Sequence, residues 1–371
     1  MNILFYLHNL WEISATTRLA YDLAIVLRDR FNVNIEFAVN KRIHNDIKNL
    51  PFKLYVLNRK GEFGKAQGLR DIIGNNKYDV VFSYMLTQNV ILSISKFLSS
   101  NKKTVYIGSV HNSDNFMENK EFYKFPYRIL MKRIYENLDG IVVVSEAVKE
   151  DVNKAFFVKK EKMKVIYNYI NIEKIKRLAQ SEIPEKDIFR NPVIINVGRV
   201  EEQKGQEYLI RAFRIVKQEI PQAKLVIIGD GSLTSRLKNL SKNLNIHKDV
   251  HFFGYKENPF KYVAKAKVFA FPSLWEGVGN VVLEAQALGI PVVAFDSQGG
   301  HVDVLKNSGI LVPLKDVRKL AENLIEILKN TEKWEKYSEL SLKNIQNYSV
   351  NKKAEEYYNY FLEKIKEKRN A

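Results

Sequence analysis

The chain has 371 residues, of which 46% are hydrophobic and 27% charged, with a formal net charge of +17 and no cysteine. The length predicts two globular domains, and the missing cysteines exclude disulfides, thiol nucleophiles and cysteine-bound zinc. The charge favours anionic partners, but no RNA-recognition or helix-turn-helix signature accompanies it, so we expect no nucleic acid partner.

Hydropathy along the chain predicts neither a membrane span nor a signal peptide. No stretch of 18 apolar residues occurs, and the first strand-like run begins at Asn2 without a basic region before it. We therefore expect a cytoplasmic protein.

Strand-like runs of β-branched and aromatic residues alternate with amphipathic helical segments from one end of the chain to the other. Continuous apolar strands alternating with helices predict parallel sheets that are covered on both faces. Twelve strands are too many for one ordinary sheet, so we expect two doubly wound domains. The predicted strands are 2–7, 32–39, 53–57, 79–84, 104–110, 140–145, 192–198, 223–231, 250–254, 267–273, 291–295 and 309–314.

The alternating pattern breaks once, in a polar and charged stretch at 167–192 that contains two prolines. We therefore predict a first domain at 1–170, a linker at 171–191 and a second domain at 192–351. Apolar positions in the remaining segment, 352–371, predict an amphipathic closing helix.

Two carboxylates interrupt the apolar stretch 271–295. Glu276 precedes a turn in which Gly277 and Gly279 free the backbone, and Glu284 lies one and a half turns into the helix that follows. The N-terminus of such a helix presents unpaired N–H groups that suit phosphate. Because ligands of doubly wound sheets bind at the carboxyl ends of the strands, we expect both acids to meet one ligand there.

A second strand ends in the sequence NVGRVEEQKG, residues 196–205, which places Arg199 and Lys204 on the loop before a helix. Arginine can bind two phosphate oxygens at once, and lysine adds a compact charge. A pyrophosphate between these cations and the Gly279 turn would be held from both sides.

Two other patterns are weak signals for cofactors. The strand–GxG–helix sequence at 226–237 has Thr234 where a dinucleotide fingerprint needs its third glycine. His247 and His251 have the spacing of a metal pair, but they lie in a loop entering a strand. We therefore expect neither a nicotinamide or flavin cofactor nor a metal.

The ordered set formed by the E-x7-E pair, GRVEEQKG, VIIGDG and GGHVDVL resembles the retaining glycosyltransferases of family 4. The resemblance is strong over 192–313 and weak over 1–171. It implies the GT-B fold, in which two doubly wound, Rossmann-like α/β domains face a central cleft. It also implies that the closing helix packs back on the first domain.

The same resemblance implies a role for each matched residue. Arg199 and Lys204 would bind the donor diphosphate and stabilise the leaving nucleotide, while Glu276 would bind the donor sugar and Glu284 the ribose. Further donor-binding positions implied by the resemblance are Gly198, Gly254 near the base, and Gly277, Gly279, Asn280 and Val281 beside the β-phosphate or sugar.

In the first half, His111 follows a strand and resembles the histidine that family members place beside the donor sugar; a loop histidine in a structural hydrogen bond is the alternative. Residues 8–20 lack the Gly-Gly turn of relatives, so Ser14 and Thr16 would serve there as small donor-binding residues. Asp303 stands where relatives commonly have glutamate.

The expected reaction is sugar transfer with retention from a nucleotide-diphosphate donor, UDP-linked by preference, to a glycan or lipid-linked acceptor. The sequence contains no Asp-x-Asp, so Arg199 and Lys204 would stabilise the leaving diphosphate without a metal. Two alternatives stay open: a UDP-sugar 2-epimerase or hydrolase on the same fold, and a non-catalytic protein that binds polyanions or membranes.

Basic residues also follow a helical spacing at Lys124, Arg128 and Lys132, opposite an apolar face. This pattern is typical of a helix that rests on an anionic membrane surface, here the inner face of the cell membrane. An ordinary solvated helix packed on its own domain is the alternative. The predicted apolar face comprises Tyr127, Leu130, Met131, Ile134 and Leu138.

Overall fold

The computed structural model describes residues 1–11, 14–42, 49–111 and 125–370. The chain forms two compact units, one built from 1–169 together with 350–371, and the other from 170–349.

The first unit contains a seven-stranded parallel sheet in the order β3-β2-β1-β4-β5-β6-β7. The six strands predicted in this half are present, and the sheet has one further short strand, β7. The elements are β1 Asn2–Leu7, α1 Ala15–Phe31, β2 Asn34–Val39, β3 Lys53–Val56, α2 Gly61–Asn75, β4 Val80–Tyr84, α3 Leu86–Leu98, β5 Val105–Val110, α4 Phe125–Asn137, β6 Gly140–Val143, α5 Glu146–Phe156, β7 Met163–Val165 and the closing helix α14 Val350–Asn370.

The second unit contains a six-stranded parallel sheet in the order β10-β9-β8-β11-β12-β13. Its elements are α6 Ile172–Ala179, β8 Val193–Val197, α7 Gln206–Glu219, β9 Lys224–Ile228, α8 Thr234–Asn243, β10 Val250–Gly254, α9 Phe260–Val263, β11 Val268–Phe271, α10 Asn280–Ala287, β12 Val292–Asp296, α11 Gly300–Leu305, β13 Ile310–Pro313, α12 Val317–Lys329 and α13 Thr331–Ile345.

The segment 171–191, predicted as a linker, lies inside the second unit, where it contains α6. Asn171 caps this helix by accepting a hydrogen bond from Lys174 N. The segment is tied to its own unit, since Asn258 Nδ2 donates to Leu178 O at 2.8 Å and Lys256 pairs with Glu185 at 3.6 Å. Its charged composition therefore covers the outside of a packed helix.

Both sheets are buried because their strands are apolar on both faces; every residue of β4, β5 and β6 is buried. In the first unit α14 completes this core. Its Phe361 packs against Phe82 with ring centroids 5.5 Å apart, and Tyr357 lies at 5.6 Å from the same ring. Burying a large aromatic side chain stabilises a fold by about 1.5–3 kcal/mol, so α14 is part of the first unit's stability.

The helix predicted on the basic segment is α4, but the structure assigns some of its basic and apolar side chains differently from the sequence pattern. Arg128 does not point into solvent: it donates to the carbonyls of Lys154 and Ala155 at 2.5 and 2.6 Å and lies 4.0 Å from the Phe157 ring. Leu130, predicted on the buried face, is 54% exposed. Lys124 lies outside the described residues. Within the described ranges, every helix is too short or too polar to cross a bilayer.

Asp139 fixes the end of α14 to the amino edge of the first sheet. It accepts hydrogen bonds from Lys96 and Lys368, both at 2.8 Å, and from the backbone N–H of Tyr106 at 2.8 Å. Burial alone would raise the pKa of Asp139, but the hydrogen bonds from the two lysines outweigh it and lower that pKa.

We expect Asp139→Asn to lower the free energy of unfolding by about 1–3 kcal/mol, because two partly buried ammonium groups lose their carboxylate. The stabilisation by Asp139 is complete above its unfolded pKa of about 3.9 and is lost as the pH falls through the lower folded pKa. Urea unfolding of both proteins at several pH values measures this effect.

Asp71→Asn is the matched control, because Asp71 pairs with Arg70 on the exposed side of α2. That change should cost less than about 0.5 kcal/mol. Equal losses for the two variants would contradict the assignment of Asp139 as the anchor of α14.

Candidate functional site

An ion pair between Lys204 and Glu276 lies at the centre of the second unit's candidate site. Lys204 ends a short 3-10 turn after β8, and Glu276 lies in the loop after β11. Lys204 Nζ donates to Glu276 Oε1, and it also lies 5.9 Å from the centre of the Phe271 ring. The side chains are only 16% and 10% exposed. The strands β8 and β11 are neighbours at the point where the strand order reverses, which is where doubly wound sheets bind ligands.

Gln203 joins the same two loops and orients Arg199. Its Nε2 donates to Trp275 O at 2.9 Å, and its backbone carbonyl accepts from Leu274 N at 2.8 Å. Its Oε1 accepts from Arg199 at 3.3 Å. The structure therefore pairs Lys204 directly with the predicted carboxylate, and it joins Arg199 to the loop that carries this carboxylate through Gln203.

Glycines allow these loops to approach each other. Gly205 has a φ of 61°, and a Cβ there would lie 2.0 Å from Pro272 O. Gly279 has a φ of 74°, and a Cβ there would lie 2.6 Å from the Phe271 ring. A side chain at either position would both strain the backbone and displace the site.

The helix α10 begins directly after this turn, and its first turn contains Asn280 and Val281. Gly279, at the N-cap position, has no side chain to satisfy the first N–H groups. N–H groups at the start of a helix favour an anion. Glu284 lies further along the same helix and is half-buried.

The loop after β12 is joined to the Glu276 loop by two backbone hydrogen bonds. Gly300 N donates to Gly277 O at 2.7 Å, and Glu276 N donates to Gln298 O at 3.0 Å. Asp303, in the first turn of α11, is exposed.

Sequence reasoning did not identify His301, which supports the floor of the site. It is completely buried, and its Nε2 lies 3.1 Å from Phe295 O and 3.2 Å from Ser297 Oγ. Its ring meets Phe271, the residue beneath Lys204, edge to face at 5.1 Å. Burial lowers the pKa of His301, so the imidazole is neutral. Its hydrogen-bond partners lie four and six residues before it, but Phe271 comes from β11, and spacing along the chain gives no signal for that contact.

The remaining predicted donor residues of this unit lie at strand ends. Gly198 follows β8, and Gly254, the last residue of β10, accepts a hydrogen bond from Gly229 N at 2.8 Å. Gly254 has a φ of 65°, which favours glycine.

His111 lies in the first unit at the carboxyl end of β5 and is 7% exposed. Its Nε2 is 2.9 Å from Ser109 Oγ, and its ring stacks on Tyr84 at 5.5 Å. Burial lowers the pKa of His111 to about 4, although a hydrogen bond with Asn168 opposes this shift. The side chain is therefore neutral at physiological pH.

Ser14 and Thr16 lie where α1 begins. Ser14 occupies the N-cap position without a side-chain capping bond, and Thr16 Oγ1 lies 3.8 Å from Met85 Sδ. Neighbouring residues 12 and 13 of the predicted loop lie outside the described residues.

Comparison with known families matches both units. Residues 5–174 match the model described as Glycosyltransferase Family 4, and residues 178–343 match Glycosyl transferases group 1. An uncharacterized glycosyltransferase of Methanocaldococcus jannaschii is 33% identical over 63% of this chain and 59% of its own length.

A Campylobacter jejuni relative is 30% identical over 68% of this chain and 67% of its own length. It is named N-acetylgalactosamine-N,N'-diacetylbacillosaminyl-diphospho-undecaprenol 4-alpha-N-acetylgalactosaminyltransferase. Among solved structures, Anabaena HepE in complex with UDP is similar, with a TM-score of 0.79 and 19% identity over 98% of this chain and 100% of that chain.

The predicted fold is confirmed by these structural neighbours, and the predicted family by the two family models and the curated relatives. From the paired sheets, the loops at the β8/β11 reversal and these matches, we conclude that the chain belongs to the family 4 glycosyltransferases of the GT-B fold.

Proposed function

We propose that the protein transfers a sugar, with retention of configuration, from a UDP-sugar to a glycan or lipid-linked acceptor that carries phosphate. The observation that carries this proposal is the Lys204–Glu276 ion pair beside the α10 N-terminus. Cleaving a sugar–diphosphate bond develops negative charge on the phosphate, which cations and N–H groups stabilise when they are already in place.

The ion pair explains how one site serves both ends of the donor. A diphosphate that enters beside Lys204 and Arg199 replaces Glu276 as the partner of the ammonium group. Glu276 is then available to accept hydrogen bonds from the sugar hydroxyls, and Glu284 serves the ribose. Each buried charge exchanges one partner for another, so neither is left unpaired.

The names and bound ligands of similar proteins support the proposed donor and acceptor. Anabaena HepE was solved with UDP and with UDP-glucose, and an Escherichia coli relative is named a UDP-Gal:alpha-D-GlcNAc-diphosphoundecaprenol galactosyltransferase. A Bacillus subtilis relative is named for poly(glycerol-phosphate). These acceptors all contain phosphate.

Neutral His111 is assigned to the donor sugar as a hydrogen-bonding group, because its low pKa leaves it uncharged at the pH of transfer. Ser14 and Thr16 would line the same edge of the first sheet. No side chain is assigned as a covalent nucleophile: the acceptor attacks the face that the nucleotide leaves, and the leaving phosphate takes the acceptor's proton.

The proposed transfer does not require a metal ion. Arg199 and Lys204 supply the positive charge that a metal would otherwise bring to the diphosphate. In the part of the chain that the structure describes, no three His, Asp or Glu side chains converge as a metal site.

Lys204→Ala should reduce kcat about 10²–10³-fold, the usual loss for one preorganised group that stabilises the leaving charge. Glu276→Gln should cause a similar loss, because the sugar loses its carboxylate partner. Initial rates with a UDP-sugar panel and membrane extract as acceptor measure both effects. Lys248→Ala, which changes an exposed lysine of the same unit, is the control.

Glu284→Ala should instead weaken UDP binding about tenfold with little change in kcat, as expected for a lost hydrogen bond to a charged group. Isothermal titration with UDP separates this effect from the two above. Full activity of Lys204→Ala at saturating donor would disprove the diphosphate assignment.

The stereochemistry and metal dependence provide a separate test. The product should keep the anomeric configuration of the donor, as read from the ¹H coupling constant of the transferred sugar. EDTA should leave the rate unchanged. Inversion, or a rate restored only by added divalent cation, would contradict the mechanism; conversion of labelled donor without acceptor would favour the epimerase or hydrolase alternative.

We also propose that the first unit contacts an anionic membrane surface through α4, which would place the protein at the inner face of the cell membrane. Phe125 and Leu130 are 68% and 54% exposed, and Arg133 beside them is exposed. Exposed apolar side chains next to cations suit the boundary between lipid headgroups and acyl chains.

The protein should co-sediment with phosphatidylglycerol vesicles and much less with phosphatidylcholine vesicles. Exchanging Phe125 and Leu130 together for serine should reduce this binding several-fold, because about 1.5–3 kcal/mol of transfer free energy is lost per large apolar side chain. Leu362→Ser, at an exposed position of α14, is the control. Indifference to lipid charge would rule the contact out.

A further inference from the structure

Three polar side chains form a directed hydrogen-bond chain at the carboxyl edge of the first sheet. Tyr6, in β1, is completely buried, Asn40 follows β2 and is 4% exposed, and His8 follows β1 and is exposed. Tyr6 Oη donates to Asn40 Oδ1 at 2.5 Å, and Asn40 Nδ2 lies 3.2 Å from His8 Nδ1. The backbone joins the same ends, because Asn40 N donates to His8 O at 3.1 Å.

The order of donors along this chain fixes the tautomer of His8. Burial raises the pKa of Tyr6, so the phenol keeps its proton, and in the structure its Oη donates to Asn40 Oδ1. The Asn40 amide nitrogen therefore faces His8, and an amide nitrogen can only donate. His8 Nδ1 must then accept, and the single proton of the neutral imidazole lies on Nε2.

Charged groups around His8 keep it in that neutral form and add positive charge nearby. Burial lowers the pKa of His8, and Lys41 and Lys65 lower it further, while Glu62 opposes them. Lys65 pairs with Glu62 at 2.9 Å, and Lys41 is exposed. Two ammonium groups against one carboxylate leave an excess of positive charge beside the Nε2–H donor.

His8 lies at an edge of the sheet where ligands commonly bind. The strand order reverses between β1 and β4, and His8 follows β1 directly. Ligands of doubly wound sheets bind at this reversal. The His8 ring is also preorganised, because buried Asn40, itself held by Tyr6, fixes one of its nitrogens before a ligand arrives.

We propose that His8, together with Lys41 and Lys65, binds a phosphate group of the acceptor. This inference rests on the proposed function and specifies its acceptor side. His8 acts as a binding residue and not as a general base, because its exposed nitrogen already carries the proton. A base is not needed there if the leaving phosphate takes the proton of the acceptor hydroxyl.

The phosphate could belong to the diphosphate of a lipid carrier or to the phosphodiester of a polymer. Both present anionic oxygens that accept from Nε2–H and pair with lysine. The two sources are separated by two probes, farnesyl diphosphate and a short glycerol-phosphate oligomer.

Isothermal titration of the full chain with each probe tests the site. His8→Ala should weaken the bound probe about tenfold, and Lys65→Gln about threefold, while UDP affinity stays unchanged. Lys77→Gln, an exposed lysine beyond the other end of α2, is the control and should have no effect. Loss with only one probe supports the site and identifies the source of the phosphate.

Failure of this inference differs from failure of the proposed function. If wild-type protein binds UDP but neither probe, or if His8→Ala leaves both affinities unchanged, the phosphate subsite is disproved. If wild-type protein does not bind UDP, the proposed donor is wrong whatever the probes do.

Asn40→Asp provides a readout that a purely structural role would not change. An aspartate would accept from Nδ1–H of His8, raise its pKa and favour the imidazolium form. Probe affinity should then increase, and its pH dependence should shift upward, because the protonated ring pairs with phosphate over a wider pH range. ¹⁵N NMR should show Nε2–H in the wild type; an Nδ1–H tautomer, or an unchanged pH profile in the variant, would overturn the proposal.

Discussion

The ion pair between Lys204 and Glu276 joins two loops that are 72 residues apart in sequence, and the second unit's site depends on it. Both side chains are poorly exposed, and the Lys204 ammonium group lies over the Phe271 ring. Removing either partner leaves a charge that is costly in such surroundings. In the proposed function, a diphosphate joined to a sugar supplies a partner for both charges, because the phosphate pairs with Lys204 and the sugar hydroxyls donate to Glu276.

The same sheet geometry brings candidate residues together in both units. The strand order reverses between β1 and β4 in the first sheet and between β8 and β11 in the second. His8 follows β1, whereas Arg199 and Glu276 follow β8 and β11. Side chains from distant segments meet because parallel strands end at one edge, and the helices that follow begin there. Each unit thus positions polar groups on a rigid apolar sheet.

Much of this arrangement could be predicted from sequence, because alternating apolar strands and helices determine the sheet class and the ends of strands. The short β7 was missed because Lys164 lies at the centre of only three residues. The polar composition of 171–191 hides helix α6, although Ile172, Ile175 and Ala179 have helical spacing and are buried. The direct pairing of Lys204 with Glu276 could not be predicted, since spacing along the chain gives no distance between loops. The chain from Tyr6 to His8 was missed for the same reason.

The closing helix α14 has a consequence for the order of folding during synthesis. Its Tyr357 and Phe361 pack on Phe82 in the first unit, yet α14 follows the whole second unit along the chain. The first unit emerges first from the ribosome but lacks part of its core until residues beyond 349 have been made. The aromatic surface around Phe82 therefore stays exposed until α14 has been synthesised. Chaperones bind such exposed apolar surface, so we expect them to act on the first unit during this interval.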